Sequence, residues 1–582
     1  MQERTWSLNE LYVSFDDTSF HNDLKTVKII MEELKAYIGL EKEEKNLIEC
    51  LKKEEVLSSL IEKLASFSSL KMSVNTNDYD AIKYDSVIEN MLATFADTNA
   101  SLNKWIASFD LDHLQDEYLV EHRFILHEIK KQNKYLLSEE SESVLANLKT
   151  VASSSWSNYK NQLISSLKVS LDNQEYPLTE VLNMAYSKDK ETRKKAYEAE
   201  LKAYPSIEQG LASALNSIKG ESIIEARLRG YASPLDRTLV SSRMSKETLE
   251  VLLKVIEKSL PLFEGYYKKK AEVLGYEFGL PWYEMYAPII EVDSSYPYQK
   301  GSQFVVKQFH TFSKNLGNYA QQAIDKNWID VYPRSGKVGG AFCNNLHSIK
   351  ESRFLLNYGD EFGDVTTMAH ELGHGFHGHC LNAQSILNAE YPMPIAETAS
   401  TFCETIVKKA ALKEATKEEQ LAILESEISD CGQVIVDIYS RFLFESSVFK
   451  KREEGPLSVD EIKELMLEAQ RKAYGNGLDH NLLHPYMWTW KPHYYSSDYA
   501  FYNFPYAFGL LLAKGLYGLY QNEGPSFASK YEEFLSLTGK MNLEDVGWSI
   551  GIDIQDEEFW QNSITMIEED INLFYELLKE IG

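Results

Sequence analysis

The stretch MAHELGHGFHGHC, residues 368–380, holds four of the chain's 13 histidines. Inside it, His370-Glu371-Leu372-Gly373-His374 reads HExxH. On an α-helix, residues four apart project from one face about one turn from each other. Two imidazoles so placed can share a Zn²⁺, while the glutamate between them reaches a bound water. With histidine this rare the pattern arises by chance in roughly one such chain in forty, so it needs support from elsewhere in the sequence. A helix carrying two exposed or core-satisfied histidines is the plain alternative.

The stretch has the spacing of a helix. Val365, Met368, Ala369, Leu372 and Phe376 return at helical intervals, and Asp364 is placed to cap a start. Gly373, Gly375 and Gly378 each weaken helix propensity by ~1 kcal/mol, so tertiary packing must hold the helix. Close neighbours are expected where side chains are missing. Just upstream lies VYPRSGKVGGAFCNNLHSIKESRFLLN, residues 331–357. Its Pro/Gly-rich loop, the run AFCNNL, a polar turn and RFLLN predict a hairpin or small mixed sheet beside the HExxH helix.

Catalytic zinc needs a third protein ligand and one open position. A metzincin extension would require Gly at 377 and His at 380, where this chain has His377 and Cys380. A glutamate on a following helix is the other source. In YPMPIAETASTFCETIVKKAA, residues 391–411, Pro392 and Pro394 mark an entry turn, and Glu397, Thr401 and Glu404 share one helical face. Small residues around Glu397 would let it approach a metal, although a glutamate in a first turn is also favoured by the helix dipole alone. Glu404 fits an acceptor that orients one histidine. His377 and His379 read as packing or hydrogen-bonding residues.

Far downstream, YMWTWKPHYYSSDYAFYNFPYAF packs eleven aromatics into residues 486–508. Its lysine, histidine, serines and aspartate are too polar for a plain aromatic core. Hydrolysis through a tetrahedral intermediate needs donors aimed at an oxyanion, and His493, Tyr502 and Tyr506 are suitable.

Elsewhere the chain reads as helical and globular. Leucine and isoleucine return every three or four residues in 24–66, and the same texture recurs in 87–107, 137–168, 244–274, 303–325, 417–449 and 556–580. Its 582 residues exceed a single core, and its net charge of −28 repels phosphate, which excludes a general binder of nucleic acid or anionic membrane. Five scattered cysteines with no CxxC pair argue for a reducing compartment. The N-terminus carries no signal-peptide pattern, so a cytoplasmic protein is expected. AFGLLLAKGLYGLY, residues 507–520, is broken by Lys514 and reads as a core helix rather than a membrane span.

Together these residues resemble the M3 family of zinc metallopeptidases, in its oligoendopeptidase F group. The carriers are HELGH at 370–374, IAETASTFCE at 395–404, GKVGGAFC at 336–343, FLLNY before the helix, and His493 leading into FYNFPYAFG at 501–509. Weaker matches reach upstream to SKDKETRKKAYEAE, RGYASPLD and the opening TWSLNELYVSFDD. The resemblance implies a mostly α, two-lobed metallopeptidase with a deep central channel and a small β element beside the HExxH helix. It implies an N-terminal helical region at 1–185 and a catalytic region at 186–582. It implies one Zn²⁺ per chain on His370, His374 and Glu397, with Glu371 as general base and Glu404 behind a histidine. His493 and Tyr502 would stabilise the transition state, Tyr506 would contact substrate, and Gly340 and Ala341 would offer backbone to an extended peptide. Relatives often carry a further tyrosine near 504, where this chain has Phe504, so that hydroxyl's work would fall to Tyr499 or Tyr502.

The expected activity is hydrolysis of internal bonds in short cytoplasmic oligopeptides. A helical HExxH metallocarboxypeptidase is the nearest rival, but it would need a cation for the substrate's terminal carboxylate, and none is evident in the sequence. A non-catalytic peptide-binding protein would have no reason to keep Glu371 and a full ligand set.

Overall fold

The three-to-four-residue return of leucine and isoleucine near the N-terminus builds two long helices, Thr18–Lys35 and Glu44–Val74. The turn between them contains Gly39 at φ +89°. In this computed structural model, which describes residues 4–290, 292 and 295–581, helices dominate throughout. The chain forms two units, each drawn from three stretches of sequence. The first comprises Met1–Tyr135, Ser294–Ala410 and Leu516–Ile552; the second comprises Leu136–Asp293, Ala411–Gly515 and Asp553–Gly582.

In the first unit, helices Thr18–Lys35, Glu44–Val74 and Tyr79–Ala107 pack their apolar faces into one core that includes Leu34, Leu51, Phe67 and Ile106. That core extends onto a three-stranded sheet through Leu346 and Leu355. The sheet is mixed, as the sequence predicts. Strand β3 (Ile329–Asp330) pairs in parallel with β5 (Glu351–Leu355), and β4 (Phe342–Leu346) pairs antiparallel to β5 with Phe342 opposite Leu355. The order β3-β5-β4 puts β4 at the edge. Alternation along β4 sends Phe342 and Leu346 to the helical core and leaves Asn345 on the other face, where it bonds the HExxH helix.

The HExxH helix runs Phe362–Leu381 and packs on β4 and β5. Its start differs from the sequence expectation. Glu361 is the N-cap, and Asp364 acts from inside the first turn, its carboxylate accepting the Glu361 and Gly359 N–H groups at 2.9 Å. The two residues form a reciprocal capping box, so the helix begins three residues earlier than a cap at Asp364 would place it.

In the second unit, helices Glu208–Arg229, Ile438–Arg452 and Val459–Tyr474 surround a core that includes Leu215, Phe444, Trp488 and Tyr494. Helices Lys246–Val273 and Lys417–Gly432 pack against Glu557–Ile581. A two-stranded hairpin that the sequence reading missed, β1 (Lys168–Leu171) and β2 (Gln174–Pro177), ends the helical run after residue 166. Its turn is Asp172-Asn173, both with positive φ, a mirror-image turn that suits the twist of a hairpin. AFGLLLAKGLYGLY lies within helix Phe504–Glu523, and Lys514 is buried against Glu427. Among the described residues no helix is long and apolar enough to cross a membrane. None of the five cysteines is in a disulfide.

Candidate metal centre and active site

His370 and His374 leave the same face of the HExxH helix, and their Nε2 atoms lie 3.1 Å apart. The third donor comes from the next helical segment. A short turn, Met393–Ala396, opens on Pro392 and Pro394; Glu397 closes it, and helix Thr398–Glu414 begins at the following residue. Glu397 is therefore at a junction between two helical pieces rather than within one helix. Its Oε2 lies 3.3 Å from His370 Nε2 and 3.5 Å from His374 Nε2. Donors bound tetrahedrally at ~2.0–2.2 Å from one ion stand about 3.3–3.6 Å from each other, so these three atoms fit a single metal ion. Among the described residues, His370, His374 and Glu397 form the group able to hold one.

Three further side chains fix the donors. Glu404 accepts from His370 Nδ1 at 2.6 Å and pairs with Lys408 at 3.1 Å, which leaves Nε2 free for a metal. Ser400 donates to Glu397 Oε2 at 3.0 Å. Asn345 on β4 donates to the His374 carbonyl at 3.1 Å and accepts from Ser352, itself bonded by Tyr319. Glu404 was legible from its place on the Glu397 face. Ser400 offered only its small size, and Asn345 no signal short of the strand register.

The glycines mark the close neighbours the sequence predicts. A Cβ on Gly373 would stand 2.6 Å from the Ala399 carbonyl oxygen, one on Gly375 would meet Tyr319 and Phe354, and one on Gly378 would meet Asn345.

The histidines and glutamates of the site shift one another's protonation. Burial works against a charged His370, but Glu397 and Glu404 outweigh it and hold the imidazole up at about 10. Burial likewise opposes an ionised Glu397, yet His370 and His374 outweigh it and pull that carboxyl well below its usual range. A proton is thus trapped where a cation would sit. Glu371 is buried, and burial raises its carboxyl while the two histidines partly offset the rise.

The other two histidines of the cluster pack. His377 is fully buried, stacks on Tyr391 with centroids 3.9 Å apart, and bonds Thr538 through Nε2 at 2.8 Å. His379 stacks on Phe376. Burial, aided by the charge of His374, pushes His377 down to about 3 from the ordinary 6.5. The folded state then holds His377 neutral, whereas the unfolded chain takes up a proton below pH 6.5, so stability is lost as pH falls through this window. With metal removed by chelator, the wild-type unfolding free energy is expected to fall between pH 6 and 4 more steeply than that of His377→Gln, by about 1.4 kcal/mol per pH unit. Denaturant titrations across that range check it, and equal slopes would remove His377 as the acid-sensitive group.

His493, Tyr502 and Tyr506 belong to the second unit and form their own cluster there. The His493 ring stacks on Tyr502 at 4.7 Å and 10°, and Tyr506 lies 6.1 Å from Tyr502. The aromatic segment divides its labour: Trp488, Tyr494, Tyr495 and Phe504 are buried, whereas His493, Tyr499, Tyr502 and Tyr506 keep exposed surface. Burial first, then Arg441, Lys491 and Lys160, push His493 down to about 4, so it is a neutral imidazole at pH 7. Gly340 and Ala341 immediately precede β4 in the first unit. The side chain of Asn357 donates to the Val338 and Gly340 carbonyls at 3.0 and 2.8 Å and so fixes that loop.

A family model described as peptidase family M3 matches residues 183–566, and one described as oligopeptidase F matches residues 110–168. The chain belongs to peptidase family M3. As an M3 peptidase it is a metalloendopeptidase whose cofactor is a metal ion. It is 24% identical over 597 residues to oligopeptidase PepF of Bacillus subtilis, covering 100% of this chain and 88% of that protein. It is 23% identical over 600 residues to an oligoendopeptidase F homolog of Lactococcus lactis, covering 100% and 98%. Among solved structures, a Chlamydophila abortus chain described as a peptidase matches with TM-score 0.84 at 22% identity, covering 99% of this chain and 98% of the other. Oligoendopeptidase-F from Enterococcus faecium matches with TM-score 0.69 at 18% identity, covering 97% and 99%. The M3 peptidase thus shares its helical fold with those chains from end to end.

Proposed function

We propose that this M3 peptidase hydrolyses internal bonds of short oligopeptides in the cytoplasm, with one Zn²⁺ held by His370, His374 and Glu397 and with Glu371 as general base. The observation that carries the reading is the convergence of two Nε2 atoms and one carboxylate oxygen within 3.1–3.5 Å, with Glu371 between the histidines. Bound there, zinc supplies Lewis acidity that polarises the scissile carbonyl and acidifies a water. Glu371 accepts a proton from the attacking water and delivers it to the leaving amine. Glu404 keeps His370 in the tautomer that presents Nε2. His493 donates a neutral N–H, and Tyr502 a hydroxyl, to the oxyanion as it forms. The edge position of β4 supports peptide binding by strand addition, with Gly340 and Ala341 at its near end and Tyr506 contacting the substrate. On this reading residues 186–582 carry the chemistry and residues 1–185 form an N-terminal helical region.

Digestion of a mixed peptide library, with and without chelator, tests the proposal by mass spectrometry. Expected products are internal fragments of short peptides, lost on chelation and restored by zinc. Removal of C-terminal residues alone, or cleavage that survives chelation, would overturn it.

A further inference from the structure

A cavity of about 790 Å³ lies within the first unit. Its walls come from helices Glu44–Val74, Tyr79–Ala107 and Arg123–Asn133, from the end of β4, and from residues 378–391. The lining is largely aliphatic and aromatic, with Leu51, Ile61, Phe95, Ile125 and Leu346 among it. Its charged side chains are Glu54, Glu62, Glu351 and Glu390, with His347 beside them and no lysine or arginine.

The Glu62 and Glu351 carboxylates are engaged. Glu62 accepts the His347 and Ser348 N–H groups at 3.0 and 2.7 Å, and Glu351 pairs with Arg353 at 3.0 Å and Lys326 at 3.4 Å. Glu54 has neither a hydrogen bond nor an ion pair among the described residues, and burial pushes its carboxyl up to about 7. A part-buried carboxyl at a cavity wall without a partner is costly to ionise, so a partner that arrives from outside gives it a purpose.

We propose that the cavity is a specificity subsite that takes a lysine or arginine side chain of the peptide substrate, with Glu54 as its counter-charge. This rests on the endopeptidase reading above. The apolar walls suit the methylene stem of a long basic side chain, and the carboxyl suits its cationic head. The position suits a peptide rather than a free amine. Strand β4 starts beside Gly340 and Ala341 and ends at Leu346, and Asn345, Leu346 and His347 line the cavity. A peptide paired along that edge advances ~3.3 Å per residue, so a residue about four or five positions from the one beside Ala341 arrives at the cavity. The cavity also adjoins the catalytic helix. Asn345 bonds the His374 carbonyl, and Tyr391, another wall residue, stacks on His377.

The test uses matched quenched-fluorescent peptides in which each position in turn carries lysine or its neutral isostere norleucine. Wild type, Glu54→Gln and Glu54→Leu are compared by kcat/KM. At one position the wild type should favour lysine over norleucine by about tenfold or more. Glu54→Gln should bring that ratio to about one, and Glu54→Leu should invert it. Because the Glu54 side chain makes no hydrogen bond or ion pair among the described residues, both variants are expected to melt no lower than wild type. Absence of any position that discriminates in the wild type, or an unchanged ratio in Glu54→Gln, overturns the subsite. If no peptide is cut at an internal bond, the endopeptidase reading fails and the subsite with it. If peptides are cut without a charge preference, the subsite alone fails.

Discussion

Glu371→Gln is expected to bind metal as the wild type does and to lose at least ~10³-fold in kcat, the upper part of the range for a positioned general acid–base group. The amide matches the carboxylate in volume, and Glu371 is buried at 6% exposure, so packing along the HExxH helix should survive. His370, His374 and Glu397 are untouched, and so is the Glu404 bond that orients His370. What the variant removes is proton acceptance between the two histidines. The carboxylate is felt electrostatically by Cys343 on β4, which puts its charge toward the strand proposed to carry the substrate. Metal content by atomic emission, thermal melting and kcat on one fluorogenic peptide check the prediction together. Near-normal turnover with normal metal content would remove Glu371 as the base, whereas loss of both metal and turnover would assign it to holding the site.

The parts of this molecule that local chemistry specifies were readable in advance. HExxH has meaning only at helical spacing, and Val365, Met368, Leu372 and Phe376 supply that spacing and are buried. The Pro/Gly loop and the turn before β5 announced the sheet. Glu397 was legible because two prolines force a chain entry just before it, although its place at a break between two helical segments was not. What escaped depends on contacts between distant residues. Asn345 matters because register places it under the His374 carbonyl, and nothing in FCNNL states that register. The β1–β2 hairpin is four residues a strand, polar, and turned by Asp172-Asn173 instead of a glycine pair, so helical texture on both sides concealed it. Glu54 sits in a helix of ordinary charged amphipathic pattern, and only the folded chain puts it on the wall of a cavity shared with Phe95 and Ile125. Each unit draws on three stretches of chain, an arrangement that no local composition encodes.

Gly373→Ala, a single added methyl, is expected to disable the site almost as fully as loss of a ligand. The new Cβ would stand 2.6 Å from the Ala399 carbonyl oxygen and 2.7 Å from Ser400 Cα. Both are backbone atoms of helix Thr398–Glu414, so no side chain can rotate away to relieve the contact. Ordinary separation of such atoms is ~3.5 Å, so the two helices must part by most of an ångström. Glu397 is the residue before that helix and Glu404 lies within it, so the third donor and the carboxylate behind His370 move together. Catalytic constellations tolerate ~0.5 Å, and misplacement by an ångström typically costs ~10²-fold. The variant should therefore lose about 10²-fold or more in both metal affinity and kcat/KM, and overpacking should lower stability by about 1–3 kcal/mol. Gly363→Ala provides the control on the same helix, because its Cβ would meet nothing within 4 Å. There the gain in helix propensity should leave stability equal or raised by up to ~1 kcal/mol, with metal binding intact. Competitive chelator titration, denaturant melts and kcat/KM on the two variants separate the outcomes. If Gly373→Ala held metal and turned over like the control, Glu397 would not be held in place by contact between the two helices, and its position would have to come from the Ser400 hydroxyl and the Met393–Ala396 turn.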